Sequence, residues 1–212
     1  MRTAIFFVVL LAALVNPTLN VQETRQQAPL RLTLKVTDSQ YCVADDEVDG
    51  LNLKLRFSFE NRTNGPIILY KMRPFPTRFM VARNLSDAAA QQYELDYSTT
   101  WYMDKAGDEA DRCYKGASPT DCFTTIAPGS SYEADGEARV LAVRGDANDV
   151  PGAVKSGQHV LQLVVQTWDE SGKVAQETAS RWHSHGSLWY RPLTSEPLTF
   201  TIEKERTVVE CK

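Results

Sequence analysis

The sequence predicts an all-β chain, an antiparallel β-sandwich with long decorated connections, and three observations predict it. Apolar and polar residues alternate at period two through most of the chain. Turn signals built on Gly and Pro separate these stretches at short intervals. No recurring long helix interrupts them, which argues against layers of helices packed on a sheet.

In chain order, the first element lies outside the sandwich. Arg2 precedes the apolar run Ala4-Ile-Phe-Phe-Val-Val-Leu-Leu-Ala-Ala-Leu-Val15, and the chain turns polar at Asn16. A short basic start followed by a short apolar stretch is the shape of a secretory signal. A permanent membrane span needs about 20 such residues. Residues 1–22 are therefore read as a signal peptide, with the cut between 16 and 24, and residues 28–212 as one β-sandwich domain. The expected address is exported, either secreted or periplasmic, with no stable membrane span after cleavage.

The strands follow. Leu30-Arg-Leu-Thr-Leu-Lys-Val36 places four aliphatics on one face, and Leu51-Asn-Leu-Lys-Leu-Arg-Phe-Ser-Phe59 places five. A helix would smear those residues around its whole cylinder, so both segments are half-buried strands. Further strands are expected at 66–70, 78–82, 93–97, 122–126, 137–143, 159–165 and 198–202. Asn64-Gly-Pro, Pro128-Gly, Asp135-Gly, Pro151-Gly and Ser171-Gly supply the turns. One short helical piece is expected at Ser86-Asp-Ala-Ala-Ala-Gln-Gln92. Residues 101–121 and 169–195 read as long connections, where function often sits.

Four cysteines in an exported chain favour two disulfides. Cys113 and Cys122 enclose a loop with Gly and Ser-Pro punctuation, which pairs them locally and leaves Cys42 with Cys211. Closing the longer loop is worth about 4 kcal/mol in the chain-entropy model. No two cysteines show the two-to-four residue spacing of a zinc site. With 23 basic against 27 acidic residues, the net charge is −4. A mildly acidic chain without a basic run is a poor partner for nucleic acid.

The run Leu-Arg-Phe-Ser-Phe-Glu-Asn-Arg-Thr-Asn-Gly-Pro-Ile-Ile-Leu-Tyr (55–70) resembles the early strand pair of secreted immunoglobulin-like modules. Ile126-Ala-Pro-Gly-Ser-Ser131 looks like their mid-domain turn, and Ser195-Glu-Pro-Leu-Thr-Phe-Thr-Ile-Glu203 like their closing strand. The Cys…Trp…Cys core of antibody domains is absent, and the chain exceeds their length of about 100 residues. The resemblance implies an immunoglobulin-like sandwich and carries no functional residue across.

Several constellations are candidates for chemistry. Trp182-His-Ser-His-Gly186 would place His183 and His185 on one face of a strand, the geometry two imidazoles need to share a metal ion. His159 completes a three-histidine set. Asp45, Glu47 and Asp49 before Gly50 imitate the start of an EF-hand loop, but its twelfth position falls on Arg56. Trp182, Trp189 and Tyr190 are candidates for stacking on a sugar. Asn61-Arg-Thr63 and Asn84-Leu-Ser86 are glycosylation sequons.

No nucleophile elbow, metalloprotease helix or phosphate-binding glycine loop is present. The chain is therefore expected not to be an enzyme and to need no cofactor. The leading expectation is a binding module for a protein or envelope component, acting through its loops. One alternative is a carbohydrate- or metal-binding module using the Trp and His residues above. The other is a secreted protease inhibitor or small hydrolase, with the Cys113–Cys122 loop as the presenting element.

Overall fold

The computed structural model describes residues 28–71, 77–98, 102–145, 149–169 and 171–210. These residues include twelve strands, three short α-helices and one 3-10 turn at Met103–Lys105. The alternating segments produce β1 (Leu30–Val43), β2 (Val48–Asn61), β3 (Ile67–Tyr70), β4 (Thr77–Ala82) and β5 (Leu95–Ser98). They continue in β6 (Phe123–Ile126), β7 (Ser131–Val143), β8 (Gly157–Val165) and β11 (Leu198–Ile202). Three strands too short for a pattern to mark them are added: β9 (Ser187–Leu188), β10 (Leu193–Thr194) and β12 (Val208–Glu210).

One sheet runs β12-β1-β2-β7, and a second runs β10-β8-β4-β5 with β11 also on β8. Their apolar faces share one core. Leu30 and Leu32, the odd residues from Leu51 to Phe59, and Ala134, Ala138 and Val140 come from the first sheet. Phe79, Val81, Leu161, Leu163, Val165, Phe200 and Ile202 come from the second. The arrangement is compatible with a β-sandwich. A third sheet, β6-β3-β9, adds Ile67, Leu69 and Ile126 to the same core. No helix among the described residues is long and apolar enough to cross a membrane.

The helical content corrects the sequence reading. The expected helix appears as α1 (Leu85–Ala89), with Asn84 Oδ1 accepting the Asp87 N–H at its N-terminus. Ala88 covers Ala82 and Val160 on the outer side of the second sheet. The two long connections, however, contain α2 (Asp108–Tyr114) and α3 (Lys173–Arg181). Ala110 and Tyr114, four apart, face inward on α2, as do Val174, Ala175, Thr178 and Ala179 on α3. This is helical spacing, carried by residues too small to stand out as an apolar stripe.

Asp135-Gly136 is a second correction, since it lies inside β7 and makes no turn. Gly136 stands opposite Leu55, and a Cβ there would fall 2.1 Å from Phe57 Cε2. The glycine seats an aromatic ring. Gly136→Ala is therefore expected to lose about 1–3 kcal/mol in urea unfolding through overpacking. Gly65→Ala, with nothing within 4 Å of the new methyl, is expected to stay within about 0.5 kcal/mol. Matching midpoints for the two variants would remove this account of Gly136.

The acidic stretch that leads into β2 serves an arginine knot. Asp49 is 1% exposed. Arg144 reaches its Oδ1 at 2.7 Å and Arg206 its Oδ2 at 2.7 Å. Arg144 also donates to the carbonyls of Asp45 and Asp46, so guanidinium nitrogens occupy the oxygens a cation would have used. Arg206 donates to the carbonyls of Val143 and Glu203 and lies 5.2 Å over the Tyr41 ring. The knot thereby fastens the segment before β12 to β2. Cys42 is buried and disulfide-bonded. The expected Cys42–Cys211 bridge involves Cys211, which lies outside the described residues, as does the expected signal peptide.

Burial opposes ionisation of Asp49, but the hydrogen bonds from Arg144 and Arg206 outweigh it and hold the carboxyl below the usual carboxylate range. A lowered folded-state pKa stabilises the fold above the unfolded value of about 3.9. That contribution is lost as pH falls through the folded value. Asp49→Asn leaves two guanidinium groups without their anion and is expected to lose about 3–5 kcal/mol at neutral pH. Chemical unfolding from pH 7 down to pH 2 checks the sign, because the gap between wild type and variant must narrow on acidification.

Candidate functional site

The two long connections meet over the third sheet. Strand β3 is buried on both faces, with Ile67 and Leu69 toward the sandwich and Ile68 and Tyr70 away from it. The second face is covered by a separate apolar cluster, with Trp168 and Trp182 at its centre and Phe123, Tyr114, Met103 and Leu188 around them. Phe123 meets Trp182 edge-on at 5.0 Å, and Tyr114 meets Trp168 edge-on at 5.5 Å. Such edge contacts add about 0.5–1.5 kcal/mol each to burial.

Polar bonds stitch the connections together. The Met103 N–H donates to the Thr167 carbonyl, and the Asp169 N–H to Asp104 Oδ1. Lys105 pairs with Asp169 at 2.9 Å. Hydrogen bonds from Ser171 and then Lys105 hold the Asp169 carboxyl well below the usual carboxylate range. Burial, and then the bond it donates to Asp111, push the Tyr114 phenol up and keep it protonated.

On this base stands the loop closed by Cys113–Cys122, whose Cα atoms are 5.6 Å apart. Residues 115–118 are exposed. The loop is braced from the other connection. Arg181, at the end of α3, donates to the carbonyls of Tyr114, Lys115 and Gly116, the acceptors left open where α2 stops. Trp182 Nε1 donates to the Gly116 carbonyl at 2.9 Å. Thr120 Oγ1 donates to the Cys113 carbonyl at 3.0 Å. Disulfide, guanidinium, indole and hydroxyl thus fix one short exposed segment. The carbonyls at 114–116 are all taken by donors from Arg181 and Trp182.

Other residues singled out by the sequence are scattered. His183 and His185 lie in the turns after α3 and not on a strand, and His183 Nδ1 is spent on the Ser180 carbonyl. His159 is buried on β8, with Nε2 2.7 Å from the Lys155 carbonyl. Among the described residues no three His, Cys, Asp or Glu side chains gather as a metal site requires. Trp182 is 0% exposed, which removes it as a stacking platform. Trp189 and Tyr190 are half-buried, Trp189 against the main core and Tyr190 against the second cluster.

Asn61 is also fully buried. Its amide donates to the carbonyls of Gly65 and Ile126, and its Oδ1 accepts from Thr63. The sequon there is a turn lock without room for a glycan, whereas Asn84 is exposed.

Sequence reading missed Arg181 and Gly116. Their signal is positional only, a lone basic residue closing one helix and a glycine following another. Compared with family models, with curated proteins and with solved structures, the chain matches none. Arg181→Ala is expected to speed amide exchange at residues 115–118 by about tenfold or more. Global stability is expected to fall by only about 1–3 kcal/mol, the scale of hydrogen bonds made by a charged group. Hydrogen-exchange mass spectrometry on the disulfide-intact protein reads the first, and unchanged exchange there would show that the brace is idle.

Proposed function

We propose that this chain is an exported, non-enzymatic binding module that presents the Cys113–Cys122 loop to another protein or envelope component. The observation that carries the reading is the brace on that loop. Arg181 and Trp182 hold three consecutive backbone carbonyls while residues 115–118 stay exposed. Ordering an exposed segment before it meets a partner removes much of the entropic cost of binding. Polar atoms spent on bracing are unavailable as nucleophile or base, which favours recognition over catalysis.

Export is supported by the apolar N-terminal run and by the disulfide, since such bonds persist in oxidising compartments. An immunoglobulin-like identity is supported by strand neighbours. The order β1-β2-β7 on one sheet and β11-β8-β4 on the other follows the A-B-E and G-F-C order of those modules. A sugar-binding reading has lost its best platform with the burial of Trp182.

The test places a photo-crosslinking amino acid at Ser118, on the loop, and at Thr199, exposed on β11, in the chain expressed by its native host. A defined adduct from position 118 that is absent from 199 and weakened by Arg181→Ala is expected. Identical patterns at the two positions, or none at 118, would overturn the reading.

A further inference from the structure

A second surface lies on the outer face of the β12-β1-β2-β7 sheet. A register shift in β1 between Val36 and Asp38 sets Gln40 against Asn52 and Cys42 against Gly50. A trough of about 630 Å³ opens there, lined by Gln40, Cys42, Asn52, Lys54, Glu137 and Arg139 among others. That volume lies within the range of small-ligand sites, about 300–1,000 Å³.

Arg139 is held in this trough by its neighbours. Its Nε donates to Asn52 Oδ1 at 2.7 Å, and the Asn52 amide in turn donates to Cys42 Sγ at 3.4 Å. Gly50 lets the two side chains close over it: a Cβ there would stand 3.3 Å from Cys42 Sγ and 3.5 Å from Arg139 Cδ. The Arg139 carbonyl also accepts the Tyr97 hydroxyl, which fixes that point of β7. With Nε engaged, the two terminal nitrogens form the guanidinium edge that accepts a carboxylate in two parallel bonds. Among the described residues no carboxylate takes that edge.

The other charges select the ligand. Lys54 is paired with Asp38 at 2.9 Å, so its charge is already committed. Among the described lining residues, Asp38, Glu137 and Glu210 against Lys54 and Arg139 leave one negative charge in excess. A dianion is disfavoured there, whereas a ligand carrying one carboxylate and one cation adds no further net charge and can set its cation against the acidic residues.

We propose that this trough binds the carboxylate of a small zwitterion, an amino acid or short peptide, on the terminal nitrogens of Arg139. Asn52 and Gly50 act as positioning residues for that guanidinium. Two sources share this chemistry, a free amino acid and a short peptide with both ends free.

Titration calorimetry on the intact chain with alanine, trialanine, trialanine amide and N-acetyl-trialanine separates them. Binding of alanine or trialanine is expected, with at least about a tenfold loss for the amide. Arg139→Lys, which keeps the charge and loses the fork, is expected to weaken binding about tenfold. Gly50→Ala is expected to weaken it while the thermal midpoint shows the fold retained. Alanine binding as tightly as trialanine assigns the site to free amino acids, and tighter trialanine binding assigns it to peptides. Equal binding of the amide, binding that survives Arg139→Lys unchanged, or no heat from any probe at millimolar concentration would overturn the proposal. Binding of N-acetyl-trialanine as tight as that of trialanine would overturn its zwitterionic part.

Discussion

The rest of this structure depends on burying β3 from both sides. Side chains alternate along a strand, so Ile67 and Leu69 commit one face to the sandwich while Ile68 and Tyr70 point the other way. An uncovered Ile and Tyr pair on a sheet face would forfeit about 1.5–3 kcal/mol per side chain. The chain covers them with the two connections that follow β5 and β8. Those connections become helical because a helix satisfies its own backbone while it lays an apolar face down. The disulfide, the Lys105–Asp169 pair and the Arg181 brace hold this cover in place. The exposed loop is a consequence of that cover, since its rigidity comes from the cluster beneath it.

Guanidinium groups do at the margins what apolar contacts do in the middle. Arg144 and Arg206 close the end of the β1–β2 hairpin around a buried carboxylate. Arg181 closes the end of α2 by taking three carbonyls. In both places the alternative is a set of backbone acceptors turned inward without partners, which costs about 1–3 kcal/mol each. A planar donor with five N–H groups serves several acceptors at once, where a lysine would serve one or two. Sites that look acidic or loop-like in sequence are thereby converted into rigid corners.

The main sandwich was legible because its evidence is repetitive. Leu51 to Phe59 states its buried face five times over, and the structure places each of those residues in the core. Extents were less legible. β7 begins six residues before its expected start because Gly136 in the sequence signals a turn, and only the position of Phe57 across the sheet reveals its use. The helices over β3 were hidden by their small residues: Ala110, Ala175 and Thr178 mark a buried face only once Trp168 and Trp182 stand against them. The candidate site was half legible. The local disulfide followed from the Gly and Ser-Pro punctuation between its cysteines, but the brace depends on Arg181 meeting carbonyls 65 to 67 residues away. No local pattern encodes a partner at that distance.

The placement of aromatic residues narrows how this protein can recognise anything. Trp168 and Trp182 are consumed in the second cluster, and the large hydrophobics exposed among the described residues are Val43, Leu85, Tyr97 and Val209. None of the four lies on the braced loop, so the loop offers no apolar patch of the kind that drives large obligate interfaces. Under the proposed reading, recognition there rests on polar groups held in fixed geometry. Such contacts gain little unless the groups are ordered beforehand, because each mobile side chain or loop residue loses entropy on binding. The same aromatic rings that are unavailable for direct contact supply that order from below. Burying the tryptophans therefore withholds apolar contact from the surface while giving the polar loop above them the rigidity it needs.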